Sequence, residues 1–167
     1  ANVGLIFGST TGNTEKAAKL IQAELKDLIS KYADIKDVTA DDLAACDHLI
    51  LGLSTWDEGQ LQEDWNDFFP DFSGVDFSGK KVALFGLGDQ ESYSEYFVSA
   101  MGTVYKAVVK AGGTVIGQWP TDGYTFDHSD AVVDGKFVGL ALDEDNQPEL
   151  HASRVKEWCA QIRPELS

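Results

Sequence analysis

A loop rich in hydroxyl groups and glycines follows the first apolar stretch of the chain. Residues 3–7 are mostly apolar, and the next seven residues read GSTTGNT, without Lys or Arg. A helix pattern begins directly after this loop, so N–H groups and side-chain donors should meet at a helix N-terminus, which favours a bound phosphate. The predicted phosphate ligands are Ser9, Thr10, Thr11, Gly12, Asn13 and Thr14.

Two other interpretations of this loop are less favourable. Thr and Asn also cap helices, but a cap needs one hydroxyl group and the loop supplies several. A Walker A loop has four residues between its glycines and then a Lys, whereas Gly8 and Gly12 enclose three residues and Asn13 follows. Nucleoside triphosphate hydrolysis is therefore disfavoured, and the dinucleotide fingerprint GxGxxG is absent as well.

Two further loops carry aromatic residues among polar ones. The stretch STWDEGQ places Trp56 after an apolar run, and the stretch GDQESYSEY contains Tyr93. Either ring could stack on a planar ligand, although a Trp at this position could equally cover the adjacent helix. Asp89 could accept a hydrogen bond from an N–H at a ring edge. A phosphate loop and two rings together predict a phosphorylated, flat, aromatic ligand.

Each of these loops follows a predicted strand. Apolar runs predict strands at 3–7, 48–53 and 81–87, a weaker strand at 35–38, and a last strand in two pieces at 114–119 and 137–142. Three- and four-residue spacing predicts helices from Ala17 to Ile29, from Leu61 to a stop at Pro70, from Phe97 to Val108, and from Val155 to a stop near Pro164. This alternation predicts an α/β fold, a doubly wound parallel sheet with helices on both faces. Ligands bind outside the carboxyl ends of such strands, where the three loops lie.

A stretch dense in turn residues, 119–136, lies between the two pieces of the last strand. It has the composition of an insertion and not of a domain boundary, so residues 1–167 are predicted to form a single domain. We expect this stretch to be a solvated hairpin; the alternative is a surface that binds a partner.

The charge of the chain limits its partners. A formal net charge of −15 and a pI near 4.3 disfavour nucleic acid and anionic membranes. The same charge suits a basic protein partner, although acidity can also serve solubility alone. The two cysteines and three histidines show no disulfide or metal-ligand spacing, which predicts a reduced, intracellular compartment and no metal.

No apolar run is long enough to span a bilayer, and no signal peptide pattern opens the sequence. Because the sequence begins at Ala1 and its one Met is Met101, we expect that an initiator Met or a targeting segment was removed. The predicted location is the cytoplasm, or the plastid stroma if a transit peptide was removed.

The motifs GSTTGNT, STWDEGQLQEDW and GLGDQESYSEYF, together with the stretch 119–136, resemble those of flavodoxins of the long-chain type. The resemblance covers essentially the whole chain. It implies a flavodoxin-like five-stranded parallel sheet of order 2-1-3-4-5, with an interrupted last strand, and a non-covalently bound FMN; flavodoxin with FMN is itself a known example of ligand binding at a topological switch point. It also implies a low-potential one-electron carrier that uses the semiquinone/hydroquinone couple, and not an enzyme.

The resemblance further implies roles for single residues. Residues 9–14 would hold the FMN phosphate, Thr55 would lie near the phosphate or the ribityl chain, and Ser54 would be a further cofactor-binding residue. Trp56 and Tyr93 would pack on opposite faces of the isoalloxazine, while Asp89 would meet its pyrimidine edge near N3. The other residues of the implied site are Gly88 and the backbone of Asp57, Glu58 and Gly59, which would face N5.

The charges around the implied site predict a low potential for the second electron. The FMN phosphate is a dianion, its loop contains no cation, and acidic residues crowd the same side, so each opposes further negative charge. These acidic residues are Asp57, Glu58, Asp64, Asp67, Asp89, Glu91 and Glu95. Shorter relatives often have Gly where this chain has Asp57-Glu58, so we expect a weaker stabilisation of the semiquinone than in such a relative.

The implied partners are redox proteins that dock through a basic face. They are ferredoxin–NADP reductase and photosystem I, where the chain would replace ferredoxin, or pyruvate oxidoreductase or nitrogenase in some bacteria. A monomer is expected. An FMN-dependent NAD(P)H:quinone reductase and a regulatory FMN-binding module stay open as alternatives. A response-regulator receiver is disfavoured, because GSTTGNT and STW stand where its acidic pair and phosphorylatable Asp would be.

Overall fold

The computed structural model describes residues 2–9, 12–56 and 59–166, with Trp56 described by its backbone alone. The strands of these residues are β1 Val3–Phe7, β2 Ile29–Asp34, β3 His48–Trp56, β4 Gln60–Leu61, β5 Lys81–Leu87, β6 Thr114–Ile116, β7 Trp119–Pro120, β8 Val132–Val133, β9 Lys136–Phe137 and β10 Leu140–Leu142. Their α-helices are α1 Asn13–Glu24, α2 Ala40–Ala44, α3 Glu63–Ser73, α4 Ser99–Lys110 and α5 His151–Leu166.

The central sheet is parallel and doubly wound. Its strands lie in the order β2-β1-β3-β5, and both β6 and β10 pair in parallel with the far side of β5. β6 lies beside residues 81–83 and β10 beside residues 85–87, so the two pieces together form one interrupted fifth strand. The predicted order 2-1-3-4-5 is therefore confirmed.

The three central strands β1, β3 and β5 form the middle of the core. Leu5, Ile50 and Leu84, one from each of these strands, are completely buried. α1 packs against α5. Because crossovers between parallel strands are right-handed as a rule, this pair belongs on one face of the sheet and α3 and α4 on the other. A parallel sheet that is covered on both faces needs continuous apolar strands, which is why the sequence predicts these three strands well.

The predicted end of the first helix and the predicted strand at 35–38 are wrong. α1 ends at Glu24, Ile29 already begins β2, and Ile35–Asp37 forms a short 3₁₀ turn. β2 pairs with β1 alone in the sheet of the described residues, and its residues are only partly buried or exposed. An edge strand of this kind does not need an apolar run, so its sequence, ISKYAD, gives little strand signal.

The two prolines expected to end helices lie inside them. α3 continues past Pro70 to Ser73, and Pro164 lies within α5. Both prolines are exposed, so the carbonyl group that loses its hydrogen-bond donor can face water. The three- and four-residue spacing predicts that the helix ending near Pro70 begins at Leu61. That prediction is wrong, because Leu61 belongs to β4 and pairs antiparallel with the end of β3.

The segment between β6 and β10, residues 117–139, is not a solvated hairpin. It contains the small antiparallel sheet β7-β9-β8, and its residues Trp119, Ala131 and Phe137 are buried. The ring of Phe97, which precedes α4, lies 5.8 Å from that of Phe137 and 5.5 Å from that of Phe126, centroid to centroid. The expectation of a solvated hairpin is therefore wrong, because this segment covers part of the core.

Candidate functional site

The loops that follow β1, β3, β5 and β10 meet at one edge of the sheet. Phe7 lies beside Gly52 of β3, and Leu87 lies beside both Ser54 and Leu142. Parallel strands that end level with one another bring their following loops together. This edge therefore gathers the three predicted loops and a fourth, 143–150, which follows β10.

The first loop enters α1 through a glycine in the left-handed conformation. Gly12 is the N-cap residue of α1 and has a φ of 90°, which strains any residue with a Cβ. Its N–H donates to Ser9 Oγ at 3.0 Å, and among the described residues no side chain caps the helix. The first-turn N–H groups, including those of Asn13 and Thr14, are therefore available to an anion.

Lys16, the cation closest in sequence to the first loop, is ion-paired. Its Nζ lies 3.0 Å from Glu144 Oε1 in the fourth loop. Glu144 Oε2 lies 2.9 Å from Nε2 of the buried His151, although the two are not aligned as a hydrogen bond. Burial lowers the pKa of His151, while Glu144 acts in the opposite direction. Lys16 therefore compensates a carboxylate and adds no uncompensated positive charge to the first loop.

The buried side chain of Trp65 contacts the backbone just after β1 and within β3, the two strands that the first two loops follow. Trp65 of α3 is completely buried, and its Nε1–H donates to Gly52 O at 2.8 Å. Gly8 N–H donates to the same carbonyl at 3.0 Å, and a Cβ on Gly8 would lie 2.5 Å from Trp65 Cδ1. Gln62 Oε1 accepts a hydrogen bond from Trp65 N–H at 3.2 Å. Position 8 therefore has room for glycine alone, a constraint set by α3 and not by the ligand.

The second loop follows β3 in the chain and contacts the start of α4 through a side chain. Thr55 Oγ1 accepts a hydrogen bond from Ala100 N–H at 3.1 Å, which caps α4 and leaves the hydroxyl hydrogen free to be donated. Gly59 has a φ of 86°, and a Cβ there would lie 3.4 Å from the ring of Tyr96. The predicted ligands that lie outside the described part of the structure are Thr10, Thr11, Asp57, Glu58 and the side chain of Trp56.

Asp89 is held firmly within the third loop. Its Oδ1 accepts hydrogen bonds from Glu91 N–H at 3.0 Å, Ser92 N–H at 2.9 Å and Asn146 Nδ2 at 2.8 Å. Burial raises the pKa of Asp89, but these hydrogen bonds outweigh it and the net pKa is lowered. Asp89 is therefore an ionised acceptor at neutral pH. Tyr93 in the same loop is 46% exposed, which suits a ring that covers a ligand.

Ser54 and Gly88 lie where their strands end. Ser54 is half-buried, and Gly88 N–H donates to Leu142 O at 3.1 Å. A Cβ on Gly88 would lie 3.0 Å from Val98 N, so glycine lets the loop approach the start of α4. The structure brings to this one edge the predicted residues Ser9, Gly12, Asn13, Thr14, Ser54, Thr55, Gly59, Gly88, Asp89 and Tyr93.

The segment 117–139 is hydrogen-bonded to the third loop. Thr125 N–H donates to Gln90 Oε1 at 2.6 Å, and Asp127 N–H donates to Ser94 O at 2.8 Å. Ser94 Oγ donates in return to Asp127 Oδ2 at 2.9 Å. This segment therefore has a direct structural connection to the loop that carries Asp89.

Sequence reasoning missed the residues of the fourth loop. Asp143 is completely buried, and its Oδ2 accepts a hydrogen bond from Gln90 N–H at 3.0 Å. Asp145 is mostly exposed, but the part of its carboxyl group that is shielded from water raises its pKa. The neighbouring carboxylates of Asp89, Asp143 and Glu144 raise this pKa further. The stretch DEDNQ resembles a solvated acidic turn, so nothing in the sequence indicates that its first residue is buried.

Within the described residues, no helix is long and apolar enough to cross a membrane. The same residues contain no group of three or more His, Cys, Asp or Glu side chains placed to hold a metal ion.

Comparison with known proteins gives one consistent result. The family model for flavodoxin matches residues 5–158. Flavodoxin 1 of Escherichia coli is 51% identical over 167 residues, which is 99% of this chain and 95% of that protein. A Synechocystis flavodoxin is 50% identical over 165 residues, which is 98% of this chain and 97% of that protein. The crystal structure of Fusobacterium nucleatum flavodoxin bound to flavin mononucleotide superimposes with a TM-score of 0.93 at 32% identity, covering 99% of each chain.

Proposed function

The chain belongs to the flavodoxin family, and we propose that it carries single electrons between redox proteins on a non-covalently bound FMN. Flavodoxins are electron-transfer proteins and not enzymes. The observation that carries the proposal is the meeting, at one sheet edge, of the N-terminus of α1, which no side chain of the described residues caps, and the ionised acceptor Asp89. One end of this edge suits an anion and the other suits a polar N–H group.

The first loop fits the FMN phosphate. Gly12 leaves the start of α1 open, and the first-turn N–H groups can donate to phosphate oxygens. Ser9, Asn13 and Thr14 would add side-chain donors, as would Thr10 and Thr11. Dipoles and hydroxyl groups would then bind the dianion, because Lys16 is already paired with Glu144.

The second and third loops would hold the isoalloxazine. Trp56 and Tyr93 would cover its two faces, and Asp89 would accept a hydrogen bond from N3–H. Ser54 and Thr55 would lie along the ribityl chain, and Thr55 keeps a hydroxyl hydrogen for this purpose. The glycines at 88 and 59 and the backbone of Asp57 and Glu58 would line the remaining edge.

Bound FMN supplies two successive one-electron steps, and the protein sets their potentials. Two of the loops that meet at this edge carry several carboxylates: Asp89, Glu91 and Glu95 in the third loop, and Glu144 and Asp145 in the fourth. These charges oppose a further negative charge; the pKa of Asp145 is raised in the same sense, first by burial and then by the carboxylates of Asp89, Asp143 and Glu144. We propose that the second-electron potential lies well below that of free FMN.

A redox titration tests this proposal directly. The purified chain is reconstituted with FMN, and its visible spectrum is recorded while the potential is lowered. We expect stoichiometric FMN binding and a second-electron potential below that of free FMN. A chain that binds no flavin, or that oxidises NAD(P)H catalytically by itself, would contradict the proposal; the second result would favour the quinone reductase alternative.

The proposed partners are redox proteins with basic docking faces, which the charge of −15 would attract over a distance. We propose that they are ferredoxin–NADP reductase and photosystem I, or pyruvate oxidoreductase or nitrogenase, with the chain acting as a monomer in the cytoplasm or plastid stroma. Stopped-flow mixing of the reduced protein with each partner tests this. The rate should fall steeply as salt rises, and a rate that is independent of salt would contradict electrostatic docking.

A further inference from the structure

One buried carboxylate connects the third and fourth loops. Asp143 Oδ2 accepts hydrogen bonds from Gln90 N–H at 3.0 Å, Gln90 Nε2 at 2.8 Å and Asn146 Nδ2 at 2.8 Å. Its Oδ1 accepts from Asp145 N–H at 3.1 Å and Asn146 N–H at 2.9 Å. The side chain is completely buried, so these hydrogen bonds replace all of its hydration.

The Asn146 amide extends this connection to Asp89. Asn146 Nδ2 donates both to Asp143 Oδ2 and to Asp89 Oδ1, each at 2.8 Å. The amide therefore lies between the buried carboxylate and the one that faces the proposed ligand. Because its two N–H groups point in fixed directions, the position of Asp143 determines where Asp89 Oδ1 is held.

Gln90 extends the connection to the segment 117–139. Its Nε2 donates to Asp143 Oδ2, while its Oε1 accepts from Thr125 N–H at 2.6 Å. Gln90 is buried and directly follows Asp89 in the chain. Asp143 therefore fixes the backbone next to Asp89 as well as the side-chain partner of Asp89.

We propose that Asp143 is a positioning residue that sets the hydrogen bond between Asp89 and the pyrimidine edge of FMN, acting through Asn146 and Gln90; this rests on the proposed function. Asp143 does not touch the flavin. Its role is to hold the Asp89 carboxylate in the orientation that meets N3–H. The five hydrogen bonds to Asp143 serve this orientation as well as the fold.

Asp143→Asn is the direct test, because it keeps the shape of the side chain. Whichever way the new amide turns, at least two N–H donors then face an NH₂ group. The dissociation constants of FMN and riboflavin should both rise about tenfold or more, the change expected from one lost hydrogen bond to a charged group. In FMN labelled with ¹⁵N the N3 resonance should shift, while the ³¹P resonance of the phosphate should not.

A double-mutant cycle with Asp89→Ala separates positioning from general destabilisation. If Asp143 acts through Asp89, then adding Asp143→Asn to Asp89→Ala should change flavin affinity by less than about threefold. Asp42→Asn is the matched control, because Asp42 also accepts a backbone hydrogen bond, from Thr39 N–H at 2.9 Å, but does so at the start of α2. It should leave both resonances and both affinities unchanged.

The outcomes distinguish this inference from the proposed function. The positioning role alone would be overturned if Asp143→Asn weakened flavin binding equally in the wild type and in the Asp89→Ala variant. An N3 resonance that does not shift would overturn it as well. A wild-type chain that binds neither FMN nor riboflavin would overturn the proposed function and this inference with it. If Asp143→Asn does not fold, Asn146→Ala removes only the amide between the two carboxylates, and the same N3 shift is then required.

Discussion

Lys16 and Glu144 join the first helix to the loop after the last strand, with Nζ and Oε1 3.0 Å apart. The ion pair connects the proposed phosphate end of the site to the fourth loop. Lys16 is largely exposed, so the pair adds at most about 1 kcal/mol to stability. Its larger effect is on the charge that the proposed ligand experiences.

Glu144→Gln should therefore raise the second-electron potential of bound FMN. The substitution removes one negative charge, so the positive charge of Lys16 is no longer compensated, and this single change of one charge unit favours an additional electron. A unit charge about 10 Å away in a largely aqueous surrounding corresponds to roughly 20 mV. Spectroelectrochemical titration at low ionic strength measures the shift, with Glu165→Gln on α5, far along that helix from the fourth loop, as control. A lowered potential would contradict this account.

Gly12→Ala should weaken FMN binding as well as stability. Apart from its chain neighbours, no atom of the described residues lies within 4 Å of the new Cβ, so the cost comes from a φ of 90° and amounts to about 1–2 kcal/mol. Gly79→Ala is the matched control, because Gly79 has a φ of 77° and equally open space but precedes β5, at the opposite edge of the sheet. Urea unfolding should show similar losses for the two variants. FMN fluorescence quenching should reveal weaker binding for Gly12→Ala alone.

The stability of the protein should fall as pH drops below about 6.5, partly because of His48. Its Nδ1 accepts a hydrogen bond from Lys81 N–H at 3.1 Å, and burial, followed by the charge of Lys81, lowers its pKa. The unfolded chain then binds more protons than the native one, so this contribution is complete above the unfolded pKa of 6.5 and is lost as pH falls through the folded pKa.

His48→Asn tests this assignment, because the Asn carbonyl can replace the Nδ1 acceptor but does not titrate. Urea unfolding at pH 7 and at pH 5.5 should give a smaller difference in the free energy of unfolding for the variant than for the wild type. The buried His151, whose pKa is also lowered, first by burial, should contribute to the pH dependence that remains. An unchanged difference would show that His48 does not contribute.

Tyr124→Phe should destabilise the segment 117–139. The Tyr124 hydroxyl donates to Ala141 O and accepts from Trp119 Nε1–H at 3.0 Å, so its removal leaves two polar groups without this partner. We expect a loss of about 1–3 kcal/mol in the free energy of unfolding. The Arg154 guanidinium, 4.2 Å from the ring centroid, should keep its contact with the phenyl ring.

A spectroscopic titration provides an independent check of Tyr124. Burial raises its pKa to about 12, so it should stay protonated when exposed tyrosines ionise near pH 10. Absorbance at 295 nm should therefore show the same ionisation below pH 11 in the wild type and in Tyr124→Phe. A lower amplitude in the variant would mean that this hydroxyl is accessible.

The sequence predicted the parts of the fold that depend on local pattern. β1, β3 and β5 are continuous apolar runs between helices, and their three following loops were found from residue types alone. β2 was missed because an edge strand pairs on one side and tolerates polar residues. Pro70 was taken as a stop because a local rule does not include an exposed helix face, where a lost hydrogen bond costs less.

The support of the site was beyond sequence reasoning because it depends on distant contacts. Asp143 and Gln90 are 53 residues apart, and neither residue type indicates that the other will be its partner. Phe97 and Phe137 likewise meet only after the sheet has assembled. Residue type and spacing show which groups could face a ligand; the groups that hold them in place become visible only in three dimensions.

The interrupted fifth strand makes the sheet tolerant of a change in chain length. Ile116 leaves the sheet beside Ala83, and Leu140 returns beside Phe85, so the two ends of the segment 117–139 are about 7 Å apart along β5. A few residues could close that gap and leave the hydrogen-bonded ladder almost intact. Phe97 would lose its contacts with Phe126 and Phe137, and its ring would face water. The loop that carries Asp89 would lose its hydrogen bonds to the segment. Evolution or protein engineering could thus lengthen or shorten the chain at this point without refolding the sheet, but removing the segment would expose core side chains and so lower stability as well as cofactor affinity.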